Sequence, residues 1–161
     1  VEFFLPETEL YRSVSNFVMC AQDDNALAAN TAQQIPCIFP QIKLNGQSGI
    51  VPLSAPQQIN LTLDLGVASK TDYPNADYFI AFNHQGQLYW LNANLEWSTT
   101  PAAVYQGGLI DFRDIPLPSP AQVIGSLPSG TSIPFYFAVD ATQNGSFDEP
   151  YRYASVTLKV N

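Results

Sequence analysis

Charged side chains are scarce in this sequence, and basic side chains are the scarcest. Only 12% of the 161 residues are charged, and 6 Lys and Arg stand against 14 Asp and Glu, for a formal net charge of −8. The basic residues are scattered, so no basic stripe could neutralise phosphates, and we expect no nucleic-acid binding. An anionic membrane surface would repel the chain. No apolar run approaches the roughly 20 residues that span a bilayer, so we expect no membrane insertion.

Cysteine and histidine are also rare. The chain has two cysteines, Cys20 and Cys37, and a single histidine, His84, far from both in sequence. Two thiols alone make a poor zinc site. A Cys20–Cys37 disulfide is therefore the preferred interpretation, with two buried free thiols as the alternative. A disulfide requires an oxidising compartment, so we expect an extracellular or cell-surface protein, or a periplasmic one.

No recognisable catalytic set is found in the sequence. His84 lies in NHQG, which is typical of a loop tip, and no G-x-S-x-G motif accompanies it. A hydrolase could pair two carboxylates, but sequence spacing does not give their separation in space. The acids that could form such a pair are Asp72, Asp77, Asp111 and Asp114. We expect no enzymatic activity, and a secreted hydrolase is the remotest alternative.

β-Strand patterns, by contrast, are abundant. QINLTLDLGV and YRYASVTLKV alternate apolar and polar residues with period two, as half-buried strands do. DYFIAF and QLYWLN flank NHQG as a hairpin, Asn45-Gly46 marks a further hairpin turn, and VYQGGLIDF, AQVIGSL and SIPFYFAVD suggest more strands. The Pro-rich IPLPSP cannot be a central strand. The pattern predicts an all-β, antiparallel, immunoglobulin-like β-sandwich over residues 51–161, after an N-terminal extension, residues 1–50, that holds the disulfide loop.

The C-terminal half, about residues 77–161, also shows a family resemblance. VYQGGLIDF, a spacer and SLPSGTSIPFYFAVDATQNGSFDEPYRYASVTLKV follow one another in it. This order resembles a β-sandwich module at the C-terminal ends of secreted and surface proteins of proteobacteria, although Ile133-Pro134 replaces part of an aromatic strand. The resemblance implies an extracellular accessory or structural module in bacteria and brings no enzymatic activity with it.

The sharpest local motif is DATQNGSFDE. Oxygen-bearing side chains stand at relative positions 1, 3, 5 and 9 with glycine at 6, which is the spacing of a loop that binds Ca²⁺. The predicted ligands are Asp140, Thr142, Asn144, Asp148 and Glu149. Position 12 holds Tyr151 instead of a bidentate Glu, so the affinity would be weak, about millimolar to tens of micromolar. The alternative is a plain hairpin turn at Asn144-Gly145. Either role is structural.

Aromatic residues supply a second candidate site. An exposed Trp or Tyr ring can stack on a sugar face. Most of the aromatic residues between 73 and 97 are expected in the core, but Trp97, in NLEWSTTP, is expected to be the most exposed, with Tyr73 as its companion. These two residues are the predicted sugar-stacking pair.

The first 19 residues, VEFFLPETELYRSVSNFVM, are unusually apolar for a chain end. They can pack on their own sandwich as an added strand, or pair with a neighbouring subunit's sheet edge and build a filament or surface layer. The first functional hypothesis is therefore a structural or assembly module of a bacterial surface whose partner is protein, either another copy or a surface partner. A carbohydrate- or surface-binding module is the alternative.

Overall fold

The computed structural model of the chain describes residues 39–54, 58–65, 75–140, 143–148 and 151–161. They belong to one unit, Phe39–Asn161. Within these ranges there are ten strands and one short helix: β1 Gln41–Leu44, β2 Ile50–Leu53, β3 Ile59–Asp64, β4 Ala76–His84, β5 Gln87–Leu91, β6 Trp97–Ser98, β7 Tyr105–Gly107, β8 Phe112–Leu117, α1 Ala121–Ile124, β9 Ser132–Asp140 and β10 Tyr151–Val160. Cys20 and Cys37 lie outside the described residues, so the disulfide stays a prediction.

The strands form two sheets. The smaller sheet has the order β1-β3-β8, and the larger has the order β2-β10-β9-β4-β5-β6, with β7 also pairing with β4. All of these pairs are antiparallel except β2 with β10, which is parallel. Within the described residues, which are mostly strand with one short helix, the prediction of an all-β fold with two sheets is confirmed. Residues 41–44 form β1 in the smaller sheet, before the boundary predicted at residue 51.

The hydrophobic patterns account for which faces are buried. In β3, Ile59, Leu61 and Leu63 are buried and alternate with half-buried residues. β10 buries Val156, Leu158 and Val160 on one face in the same way. β4 is buried on both faces from Ala76 to Phe82, as its continuous apolar run predicts.

Two predicted turns are present, with different consequences. Gln85 and Gly86 both have positive φ, 52° and 87°, so β4 and β5 are joined by a two-residue turn whose twist suits a hairpin. Asn45 and Gly46 form a similar turn, with φ of 50° and 76°. Here the flanking strands do not pair with each other, because β1 joins the smaller sheet and β2 the larger.

Two strand predictions need correction. AQVIGSL is not a strand: its first four residues form α1, preceded by Pro120 and followed by Gly125 with φ 93°, which are residues typical of helix starts and ends. VYQGGLIDF is not continuous, because the chain leaves β7 at Gly107 and re-enters a strand only at Phe112. No helix in the described ranges is long and apolar enough to cross a membrane.

The Pro-rich segment lies at a sheet edge. Pro116 is part of β8, the outer strand of the smaller sheet, which agrees with the expectation that this segment is not a central strand. The register of β8 against β3 shifts between Leu61 and Leu63, and Asp114 has a φ of 52°. The edge of β8 is therefore irregular.

Candidate functional site

Two buried carboxylates lie side by side in the larger sheet. Asp77 of β4 is directly opposite Asp140, the last residue of β9, and both side chains are 0% exposed. On its other side Asp77 is opposite Gln106 of β7. Like charges at opposed positions repel, and burial makes an uncompensated carboxylate costly. This row of three residues therefore needs hydrogen-bond donors close by.

The donors to Asp77 come from Gln106 and from the loop after β9. Gln106 Nε2 donates to Asp77 Oδ1 at 2.8 Å, and the backbone N–H groups of Asn144 and Gly145 donate to Asp77 Oδ2 at 3.1 and 2.6 Å. Gly145 has a φ of 84°, a conformation that glycine adopts without steric cost and that aims successive N–H groups at one acceptor. The carboxylate of Asp77 thus holds the turn of the loop against the sheet.

The same loop is tied internally through three of the five predicted calcium ligands. Asp148 donates its backbone N–H to Asp140 Oδ2 at 2.9 Å, and Asn144 Nδ2 donates to Asp148 Oδ2 at 2.6 Å. The backbone N–H of Ser146 donates to Asn144 Oδ1 at 2.8 Å. The other two predicted ligands, Thr142 and Glu149, lie outside the described residues. The described residues contain no group of three or more His, Cys, Asp or Glu side chains placed to hold a metal ion.

An aromatic anchor fixes the loop beside the carboxylates. Phe147 packs against Phe79 of β4, with ring centroids 5.0 Å apart, and against Trp90 and Tyr151 at 5.4 and 4.5 Å. Phe79 is two residues from Asp77, so the two side chains project from the same face of β4. The loop 143–148 is therefore bound to that face by one polar contact set and one apolar contact set. We call this arrangement the loop clamp.

Trp97 does not lie where the sequence places it. It is 7% exposed, its ring centroid lies 4.7 Å from that of Phe82 and 6.2 Å from that of Phe135, and its Nε1 donates to the carbonyl of Pro118 at 2.9 Å. The expectation of exposure is wrong, because residues 97–98 pair with β5 as strand β6, which turns the ring inward. A ring in this position presents no face to a sugar. Tyr73 lies outside the described residues.

The acids considered for hydrolysis have separate surroundings. Asp111 Oδ1 accepts the backbone N–H of Leu65, and Asp114 is exposed on β8, while Asp72 lies outside the described residues. His84 is half-buried at the end of β4, opposite Gln87. Strand register brings Asp77 to Asp140. From sequence, Asp77 is a candidate only for a hydrolytic carboxylate pair, and Asp140 only for the calcium loop.

A buried tyrosine bridges the interior to the segment between β7 and β8. The Tyr78 hydroxyl donates to the carbonyl of Ile110 and accepts its N–H, both at 2.8 Å. Burial raises the pKa of the Tyr78 phenol above its usual range. Tyr78 therefore remains a neutral hydrogen-bonding group that ties down this segment.

Comparison with known proteins adds no relative: no family model, curated protein or solved structure matches the chain.

Proposed function

We propose that the chain is a non-enzymatic, extracellular structural module of a bacterial surface, and that it self-associates through its apolar N-terminal segment, residues 1–19. The bacterial, extracellular part of the proposal rests on the resemblance of residues 77–161 and on the predicted disulfide. The assembly part rests on one observation, the edge of β2. The loop clamp supports a structural role, because Gln106 Nε2 and two backbone N–H groups of the loop, all neutral groups of the fold itself, donate to Asp77.

The edge of β2 offers a site for an added strand. The backbone N–H of Thr157 in β10 donates to the carbonyl of Gly49, and alternate residues of a parallel strand bond to the same side. The N–H and C=O of Ile50 and the C=O of Pro52 therefore point away from β10. No described strand pairs with that edge. Ile50 is 72% exposed, the largest exposure among the large apolar side chains described. An extended apolar segment could add here as a strand.

Of the other described edges, those at β6, β7 and β8 are less suited to strand addition, whereas β1 is a second regular edge, in the smaller sheet. β6 and β7 contain two and three residues. β8 has the shifted register, the exposed charges of Arg113 and Asp114, and Pro116, all devices that protect an edge from pairing. The edge of β2, by contrast, has no bulge beside the outward N–H of Ile50. Pro52 has no N–H, but its position faces away from β10, so the pairing of β2 with β10 loses no hydrogen bond there.

The immunoglobulin-like arrangement is part of the same proposal. An immunoglobulin domain has strands A, B and E in one sheet and C, F and G in the other. The orders β1-β3-β8 and β10-β9-β4 support this assignment, with β1, β3 and β8 as A, B and E. In this assignment the first strand, A, is divided into two parts. β1 is the part in the smaller sheet, and β2 is the part that pairs in parallel with the last strand, β10, in the larger sheet.

Self-association is tested by sizing the full chain, a variant that lacks residues 1–19, and an Ile50→Lys variant. We expect oligomers of the full chain and smaller species for both variants, because one loses the donated segment and the other places a charge beside the accepting edge. Val123→Lys is the matched control, since Val123 is also exposed, at 37%, but lies on α1. A monomeric full chain, or oligomers unaffected by the deletion, would overturn the assembly proposal.

We also propose that Ca²⁺ stabilises the loop clamp, with Asp140, Asn144 and Asp148 as ligands together with Thr142 and Glu149. One observation supports this: three of these residues are already joined by hydrogen bonds within the loop clamp. The cation would hold the ends of β9 and β10 together and take no part in chemistry.

Calcium binding is tested by thermal unfolding with and without Ca²⁺. At concentrations of about 1–10 mM, Ca²⁺ should raise the melting temperature by about 2–4 °C, as expected for a weak extracellular site. Asp148→Asn should abolish the shift, whereas Glu96→Gln, an exposed acid on another loop, should retain it. An unchanged melting temperature of the parent protein would leave the loop clamp as a hydrogen-bonded turn without a cation.

A further inference from the structure

A cavity of about 130 Å³ lies between the two sheets. One wall consists of Leu61 and Leu63 of β3 with Ile115 of β8, and the facing wall includes Ile80 of β4 and Leu91 of β5. Protein interiors rarely leave voids larger than a water molecule. This one is lined by side chains of both sheets, is partly open to solvent, and is large enough to admit a small molecule.

The walls offer a water molecule few hydrogen-bond partners. The two tyrosines in the lining, Tyr78 and Tyr105, have their hydroxyls engaged: Tyr78 with the backbone of Ile110, and Tyr105 as a donor to the carbonyl of Gly108 at 3.0 Å. The remaining lining side chains are apolar. A buried water needs two to four polar partners, and apolar cavities of similar size stay dry and accept molecules such as benzene.

Leu95 is the most exposed residue of the cavity lining. This residue lines the cavity and is also 39% exposed, so the same side chain faces both the cavity and the solvent. Its backbone has a φ of 61°, and the short loop that carries it is closed by hydrogen bonds from Leu95 N–H to Asn92 and from Asn92 N–H to Glu96. A rotation of one exposed side chain would therefore open a path without disturbing a strand.

We propose that this cavity binds one small hydrocarbon molecule, an aromatic ring or branched alkane of about six to eight carbon atoms, which enters past Leu95. Side chains of both sheets set the shape of the cavity. Because its walls are apolar, the ligand requires no charged or hydrogen-bonding group. This site is separate from the loop clamp and from the edge of β2, so the proposal is independent of self-association and of calcium.

The test uses toluene as the probe and the full chain as the protein. Near-saturating toluene should raise the melting temperature by about 2–4 °C and shift the methyl NMR signals of Leu61, Leu63 and Ile80. Ile115→Phe, which fills the cavity from the edge strand β8, should abolish both effects. Ile50→Phe makes the same change on the exposed β2 edge and should leave both effects intact.

Two results would overturn the proposal. One is a parent protein whose melting temperature and methyl signals do not respond to toluene. The other is a response spread over surface methyls, such as those of Ile50 and Val123, instead of the cavity methyls. Should Ile115→Phe not fold, the distribution of methyl shifts in the parent protein decides the question by itself. Leu95→Ala, at an exposed position, should bind toluene with faster exchange.

Discussion

Replacing Asp77 with alanine should lower the free energy of unfolding by about 3–5 kcal/mol, as measured by urea denaturation. The substitution leaves three donors without their acceptor: Gln106 Nε2 and the backbone N–H groups of Asn144 and Gly145. Asp77 is fully buried, so water cannot replace the lost carboxylate without a rearrangement. The loop clamp should open, and the contact of Phe147 with Phe79 should loosen with it.

Asp77→Asn distinguishes the stabilising hydrogen bonds to this carboxylate from its destabilising repulsion by Asp140. The amide keeps the shape and one acceptor oxygen but removes the charge that lies opposite Asp140. If the hydrogen bonds dominate, the loss should be about 1–3 kcal/mol, whereas dominant repulsion between the two carboxylates would make the variant more stable. Glu96→Ala, at an exposed position, should stay within about 0.5 kcal/mol of the parent. A loss below about 1 kcal/mol in Asp77→Ala would contradict the structural role of the loop clamp.

The fold was predictable from sequence where the pattern is local. The alternation in β3 and β10 and the continuous apolar run of β4 depend on side chains a few residues apart, and each is buried as predicted. The two-residue turn at Gln85-Gly86 is likewise local, because it is encoded in the four-residue segment NHQG. The short helix α1 was missed because AQVI suits a strand as well as a helix by composition. Its flanking Pro120 and Gly125 were the available signal.

The candidate site was only partly predictable, because its partners are far apart in the chain. The sequence spacing identified Asp140, Asn144 and Asp148 as one loop, and their hydrogen bonds join them. Asp77 lies more than sixty residues away from that loop, and only the register of β4 with β9 and β7 places it at the centre. Polarity usually implies exposure, which is why a buried Asp on an apolar strand was not assigned to this site. An acidic residue inside the apolar run ADYFIAF was the signal that could have found it.

Trp97 illustrates the converse problem and carries the second large prediction. Its polar neighbours in sequence indicate an exposed loop, but the short strand β6 directs the ring against Phe82 and Phe135, and Pro118 accepts its N–H. Trp97→Ala should therefore cost about 3–5 kcal/mol in the free energy of unfolding, from lost burial and the cavity left behind. Trp97→Phe should cost less, because the aromatic contact remains and only the N–H bond and part of the ring are lost.

The fluorescence of the two tryptophans provides a second measurement on the same variants. The difference between the emission spectra of the parent and of Trp97→Phe isolates the emission of Trp97. Because Trp97 is buried, this emission should be blue-shifted relative to that of an exposed tryptophan and poorly quenched by acrylamide. Leu95→Ala is the control for stability, since it truncates an exposed neighbour, 39% accessible, and should cost about 1 kcal/mol or less. An emission spectrum typical of exposed tryptophan, together with a stability loss below about 1 kcal/mol, would place the ring on the surface and restore it as a candidate for stacking on a sugar. The inward position instead makes Trp97 the side chain that anchors β6 to the core. β6 is the outer strand of the larger sheet and has only two residues, so its backbone pairing alone would stabilise it little.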